Sequence, residues 1–171
     1  MNKVSYSIHQ NVGVININNP PLNLLGYGLR EDILNQITEA QSDTSRALVI
    51  ICQGRTFCAG ADIKEFNQTP QTPVLPDLIT AVEASKKPVI AALHGTVLGG
   101  GFELALSCHY RLALYSAKVG LPEVKLGLLP GAGGTQRVPR LVGAKAALDF
   151  MTTGAPIPAT EALALGLIDH L

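Results

Sequence analysis

An α/β fold is predicted by three features of this sequence. The runs ALVIIC (47–52) and PVIAAL (88–93) are short and wholly apolar, as strands buried in a parallel sheet are. Segments with apolar residues at helical spacing lie between and after them, and strand alternating with helix is the pattern of α/β chains. Each apolar run empties into a glycine-containing loop, FCAGAD or HGTVLGGG, and ligands of open parallel sheets sit outside such strand ends. No internal repeat interrupts the pattern.

Taken in order, VGVINI (12–17) alternates and is followed by the turn residues NNPP, so it reads as a strand leaving a hairpin. Leu29 to Ala40 places Leu29, Ile33, Leu34 and Ile37 on one helix face. ALVIIC is the next strand and runs into the loop QGRTFCAGAD. NQTPQTPVLPD, with three prolines among polar residues, reads as a flexible excursion able to move around a ligand. Asp77 to Lys87 reads as a helix with cations in its last turn, and Pro88 opens the strand PVIAAL. HGTVLGGG is a glycine-rich turn into a helix beginning near Gly99. YRLAL (110–114) is a third strand, and LPEVKLGLLPGAGGTQ reads as a long loop. Helices are expected over 135–141, 144–151 and 159–165.

Composition bounds the function. A chain of 171 residues, 47% hydrophobic and 15% charged, can bury roughly 70% of its unfolded surface, enough for one ordinary domain. Thirteen basic and 13 acidic residues give zero net charge, which offers no electrostatic footprint for nucleic acid or an anionic membrane. Cys52, Cys58 and Cys108 are odd in number and lack framework spacing, as expected of reduced thiols in an intracellular compartment. MNKVSYSIHQ resembles neither a signal peptide nor a transit peptide, and the longest apolar runs are too short for a membrane span.

Glu103 in LGGGFELALSC and Glu123 in VGLPEVKLG carry the strongest chemical signal. A carboxylate in apolar surroundings is costly to ionise and gains a raised pKa, which suits proton transfer. If the strands ending near Cys52 and Leu93 are parallel neighbours, their loops share one sheet edge. The amides of Ala61 and Gly100 then become candidate oxyanion donors, the second aided by the positive end of its helix. Glycine is wanted there because a side chain would keep a ligand oxygen from the backbone.

Plainer readings stand beside these. Glu103 equally suits a wet first-turn acid, Glu123 a loop carboxylate exposed beside Lys125, and Gly99 to Gly101 close helix packing. Cys58 reads as a small buried hydrophobe without a local base, His94 and His109 as structural, and Asp62 as a helix cap. Competing motifs fail: the third glycine of a dinucleotide fingerprint falls on Leu104 in LGGGFEL and on Gln136 in GAGGTQ. No Walker loop, G-x-S-x-G elbow or Cys/His metal spacing occurs, so no metal is expected.

Taken together, FCAGADIKEF, PVIAALHGTVLGGGFELAL and VGLPEVKLGLLPGAGGTQRVPRLVG resemble the enoyl-CoA hydratase/isomerase, or crotonase, family in order along almost the whole chain. ELALSCHYRLAL followed by VGLPEVKLGLLPG resembles the amino-terminal hydratase part of bifunctional enoyl-CoA hydratase/3-hydroxyacyl-CoA dehydrogenases. The resemblance implies a crotonase-like core of repeated ββα units in a spiral. It also implies that the amides matching Ala61 and Gly100 bind the thioester oxygen of an acyl-CoA, and that Glu103 and Glu123 are the two catalytic glutamates. Leu22, Leu24, Ala59, Gly60, Asp62, Ile63 and Gly99 are expected around the substrate and its CoA moiety.

Addition of water to a trans-2-enoyl-CoA in fatty-acid β-oxidation is the implied reaction, with isomerisation of 3-enoyl-CoA as a side activity. No cofactor is implied, since coenzyme A arrives as part of the substrate. The location implied is cytoplasmic in a bacterium and peroxisomal in a eukaryote. Family members continue beyond GLIDHL, so residues 1–171 are expected to form a core domain lacking C-terminal helices. A surface left by such helices would promote association into homo-oligomers, and a dehydrogenase domain is expected downstream. Two alternatives remain: another crotonase-family reaction such as isomerisation or thioester hydrolysis, and a non-catalytic acyl-CoA-binding or assembly module.

Overall fold

The computed structural model describes residues 3–66 and 68–171. Strands β1 (Val4–His9) and β2 (Val12–Ile17) form an antiparallel hairpin, and helix α1 (Tyr27–Ala40) follows. Strand β3 (Ala47–Cys52), helix α2 (Leu75–Glu83), strands β4 (Val89–Leu93) and β5 (Thr96–Leu98) and helix α3 (Gly100–Ser107) come next. Strands β6 (Tyr110–Ala113) and β7 (Lys118–Gly120), helices α4 (Gly134–Val142) and α5 (Ala144–Thr153), strand β8 (Ile157–Pro158) and helix α6 (Ala159–Leu165) complete the chain.

Five strands make one sheet in the order β1-β2-β3-β4-β6, parallel throughout except for the β1–β2 hairpin. A smaller sheet is ordered β5-β7-β8. The chain repeats a unit in which a strand of the large sheet leads to a short strand of the small one and then to a helix. The sets β4, β5, α3 and β6, β7, α4 follow this rule. After β3 the second strand shrinks to a single bridge, Cys58 against Val97, before α2. β3 and β4 pair in parallel with Leu48 opposite Val89, so both glycine-containing loops do leave the same edge.

Local chemistry explains the differences from expectation. β1 has only Val4 buried and lies at the sheet edge, so its mixed polar sequence hides it. β5 and β7 are three residues each, too short for a periodicity to register. The helix expected over Asp77 to Lys87 instead spans Leu75–Glu83. Pro76 is accommodated in its first turn, where no amide is needed, and the Asp77 carboxylate accepts the Val74 amide at 2.9 Å. Lys87 lies beyond that helix: its Nζ donates to Asp43 Oδ1 at 2.8 Å and to Ser45 Oγ at 3.0 Å. That pairing holds the Asp43 carboxyl well below the usual carboxylate range.

The proline-rich excursion is tied down by a buried side chain. Arg30 Nε donates to Pro73 O at 2.8 Å, and its Nη1 donates to Leu25 O at 2.8 Å and to Glu65 Oε2 at 2.7 Å. A guanidinium excluded from water must satisfy its donors within the protein, and here it does so by gripping this loop. Among the described residues no helix is long and apolar enough to cross a membrane.

α3 is buried along its whole length, so a run of apolar and small residues forms it rather than an amphipathic stripe. Phe102 is fully buried and meets Phe150 edge to face with centroids 6.2 Å apart. Replacing it by alanine removes the anchor that fixes α3. Phe102→Ala is expected to lower unfolding free energy by about 3 to 5 kcal/mol, read from urea denaturation.

Candidate active site

The site is built where α3 begins. Gly99 has φ +50°, a conformation side chains resist, and this lets the chain turn sharply from β5 into the helix. At Gly101, an added β-carbon would stand 2.6 Å from both the β-carbon and the carbonyl oxygen of Cys58. Helix and loop therefore touch backbone to backbone. An added β-carbon on Gly100 would lie 3.2 Å from the Ala61 nitrogen and 2.7 Å from Leu75 Cδ2, so the two amides are close neighbours. Neither amide makes a hydrogen bond among the described residues, and both residues border one cavity of about 320 Å³.

Glu103 is 2% exposed, so the wet first-turn reading is overturned. Its Oε1 accepts from the amides of Ala132 and Gly134, each at 2.8 Å. Burial raises its pKa, and the two amides and the Arg137 charge oppose that rise without cancelling it. Glu123 lies on a 3-10 turn, Pro122–Leu126, in contact with the same cavity. It is only partly exposed, and its buried Oε2 has no partner among the described residues, so it is not the free loop acid that Lys125 suggested. Burial, with the nearby Glu103 charge, pushes its pKa up to about 7.

Ala59, Gly60, Ala61, Ile63, Gly99 and Gly100 line this cavity with the two glutamates. Leu22, Leu24 and Asp62 do not. The Leu22 carbonyl accepts the Ala59 amide at 3.1 Å, which braces the loop. Asp62 caps the 3-10 turn Ile63–Glu65 by accepting the Lys64 amide at 3.1 Å, and it borders a second, smaller cavity. Cys58 is buried with its thiol pushed up to about 12, which removes it as a nucleophile near neutral pH. His94 Nε2 meets Gly54 O at 3.1 Å, and the Val89 amide donates to His109 Nδ1 at 3.0 Å; both bonds hold chain rather than substrate.

Sequence reading missed the Ala132 and Gly134 amides. GAGGTQ was informative only as a failed nucleotide motif, although a glycine pair before a helix was the available signal of exposed amides. It also missed Phe66, Leu75, Leu126, Leu128 and Leu129, whose apolar side chains form much of the wall. Among the described residues no three His, Cys, Asp or Glu side chains converge to hold a metal ion. The arrangement offers two amide donors for a developing oxyanion and two carboxyl groups with raised pKa values beside an apolar slot.

A sequence comparison identifies the family. The pattern described as enoyl-CoA hydratase/isomerase matches residues 7–171, and the chain belongs to that family. Among individual relatives, the peroxisomal bifunctional enzyme of Danio rerio is 50% identical over 165 residues, 96% of this chain and 23% of that protein. The peroxisomal bifunctional enzyme of Homo sapiens is 46% identical over 168 residues, again 96% of this chain and 23% of that protein. The crystal structure of an enoyl-CoA hydratase from Bacillus anthracis superimposes with a TM-score of 0.92 at 37% identity, covering 99% of this chain and 69% of that one. The crotonase fold expected from the sequence is therefore present. The chain spans less than a quarter of the length of the bifunctional relatives it matches.

The raised Glu123 pKa links stability to pH. Folding favours the protonated form, so the favourable contribution is complete below the unfolded value of 4.5 and is lost as pH rises through about 7. The wild-type protein is therefore expected to lose unfolding free energy across this window in urea titrations at stepped pH. Glu123→Gln should flatten that part of the profile.

Proposed function

We propose that the chain catalyses addition of water across the double bond of a trans-2-enoyl-CoA. The observation that carries this reading is the convergence of Glu103, Glu123 and the free amides of Ala61 and Gly100 on one cavity. Glu103, as carboxylate, takes a proton from water while the water oxygen bonds to the β-carbon. The electron pair of the double bond moves to the thioester oxygen, where the two amides stabilise the enolate; one such donor is typically worth roughly 3 to 4 kcal/mol. Glu123, as carboxylic acid, returns a proton to the α-carbon. Its pKa near 7 supports that assignment, because an acid must still carry its proton at working pH.

No metal or redox cofactor enters this scheme, and coenzyme A arrives on the substrate. Ala59, Gly60, Ile63 and Gly99 would contact it through the cavity, with Leu22, Leu24 and Asp62 supporting the loops. Isomerisation of a 3-enoyl-CoA by Glu123 alone is a second reading, favoured by a Glu123 Oε2 that has no partner among the described residues. The bifunctional relatives support a place for this chain as the hydratase part of a larger β-oxidation enzyme, peroxisomal in a eukaryote. In a bacterium the same reaction belongs to the cytoplasm. The exposed side chains of Leu114, Tyr115 and Leu148 support association between copies.

Loss of the conjugated thioester absorbance of crotonyl-CoA tests the reaction. Glu103→Gln and Glu123→Gln are each expected to lower kcat by roughly 100- to 10,000-fold. Wild-type silence with acyl-CoA binding intact would instead favour a binding module. For 3-enoyl-CoA isomerisation, Glu123→Gln should abolish turnover while Glu103→Gln leaves a measurable rate; equal losses would reject the one-glutamate shuttle. Hydration kcat/KM is expected to fall as pH rises through about 7, because Glu123 then loses its proton.

A further inference from the structure

The turn that holds Glu103 is itself pinned from outside the cavity. Arg137, in the first turn of α4, folds back over Gly133, where an added β-carbon would lie 2.0 Å from the arginine Nη1. Nη1 donates to Ala132 O at 3.2 Å, and Nη2 donates to Glu83 Oε2 at 2.7 Å at the end of α2. Ala132 is thus gripped twice: its amide donates to Glu103 and its carbonyl accepts from the guanidinium. The arginine side chain is 18% exposed, so little water screens its charge.

The charges around Glu103 single out this arginine. α3 carries no other charged residue, and β5 carries none. α2 brings Asp77, occupied by the Val74 amide, and Glu83, turned to Arg137. The 3-10 turn brings Glu123 and the exposed Lys125, and α4 brings Arg140, whose guanidinium donates to Gln136 O. Arg137 is the cation that favours ionisation of Glu103, and the Glu103 charge in turn opposes ionisation of Glu123.

We propose that Arg137 is a positioning residue which, through the Ala132–Gly134 turn, keeps Glu103 oriented as an ionised acceptor for a proton from water. A buried carboxyl without that support drifts toward its neutral form, which cannot take the proton. The catalytic consequence rests on the hydratase reading above; the effect on Glu103 does not. Arginine suits the role because its planar fork reaches the Ala132 carbonyl and Glu83 together.

The test is a carboxyl-13C NMR titration of Glu103 in the ligand-free 171-residue protein, its signal assigned by loss in E103Q. In R137M the midpoint is expected to rise, because an opposite charge that favours the ionised form has been removed. R137K should stay nearer the wild type. An unchanged midpoint in R137M overturns the proposal. Should R137M fail to fold, R137Q retains a donor for the Ala132 carbonyl without the charge and must show the same rise. In hydration assays the acidic limb of kcat/KM should move upward by the same interval, so the deficit of R137M shrinks as pH increases. An equal deficit at every pH marks Arg137 as merely structural and also overturns it. A shifted titration in a protein that turns nothing over rejects the hydratase reading while leaving Arg137 as the support of Glu103.

Discussion

The contact on which this structure depends is the backbone-to-backbone approach of the α3 N-terminus to the loop after β3. Gly101 meets the carbonyl and side chain of Cys58, and Gly100 meets Leu75 and the Ala61 nitrogen, leaving no room for a side chain on either glycine. Any larger residue would separate the two amides that face the cavity. The parallel pairing of β3 and β4 supplies the frame, since it delivers both loops to one edge. Phe102 then locks the helix in place against Phe150.

Once that contact exists, the electrostatics of the site follow from burial. Both carboxyl groups leave water and both gain raised pKa values, but they are compensated differently. Glu103 receives two amides and the field of Arg137, which favour its charged form. Glu123 Oε2 lacks a partner among the described residues and faces the charge of Glu103, which favours its neutral form. In the proposed hydration, this difference in support suits Glu103 to accepting a proton and Glu123 to donating one.

Much of this was legible in the residues themselves. β3, β4 and α6 occupy the segments expected from apolar runs and helical spacing, because long-range packing agrees there with local pattern. The edge strand β1 and the three-residue strands β5 and β7 were not legible. Their pairing is decided by partners distant in the chain, and a three-residue segment holds too little period to read. α2 was displaced because a proline is a stop signal in a helix interior yet is tolerated in a first turn.

At the site, the sequence alone pointed to Glu103 and Glu123 as acids out of place among apolar neighbours, and to glycine loops at the ends of two strands. Those inferences need only residue type and order, because desolvation cost and glycine's missing side chain are local properties. It did not reveal that the Ala132 and Gly134 amides hold Glu103, that Leu22 and Leu24 do not line the cavity, or that Arg137 grips the turn. Hydrogen-bond partners and field strengths depend on distances between residues about thirty positions apart, and only the folded chain sets those distances.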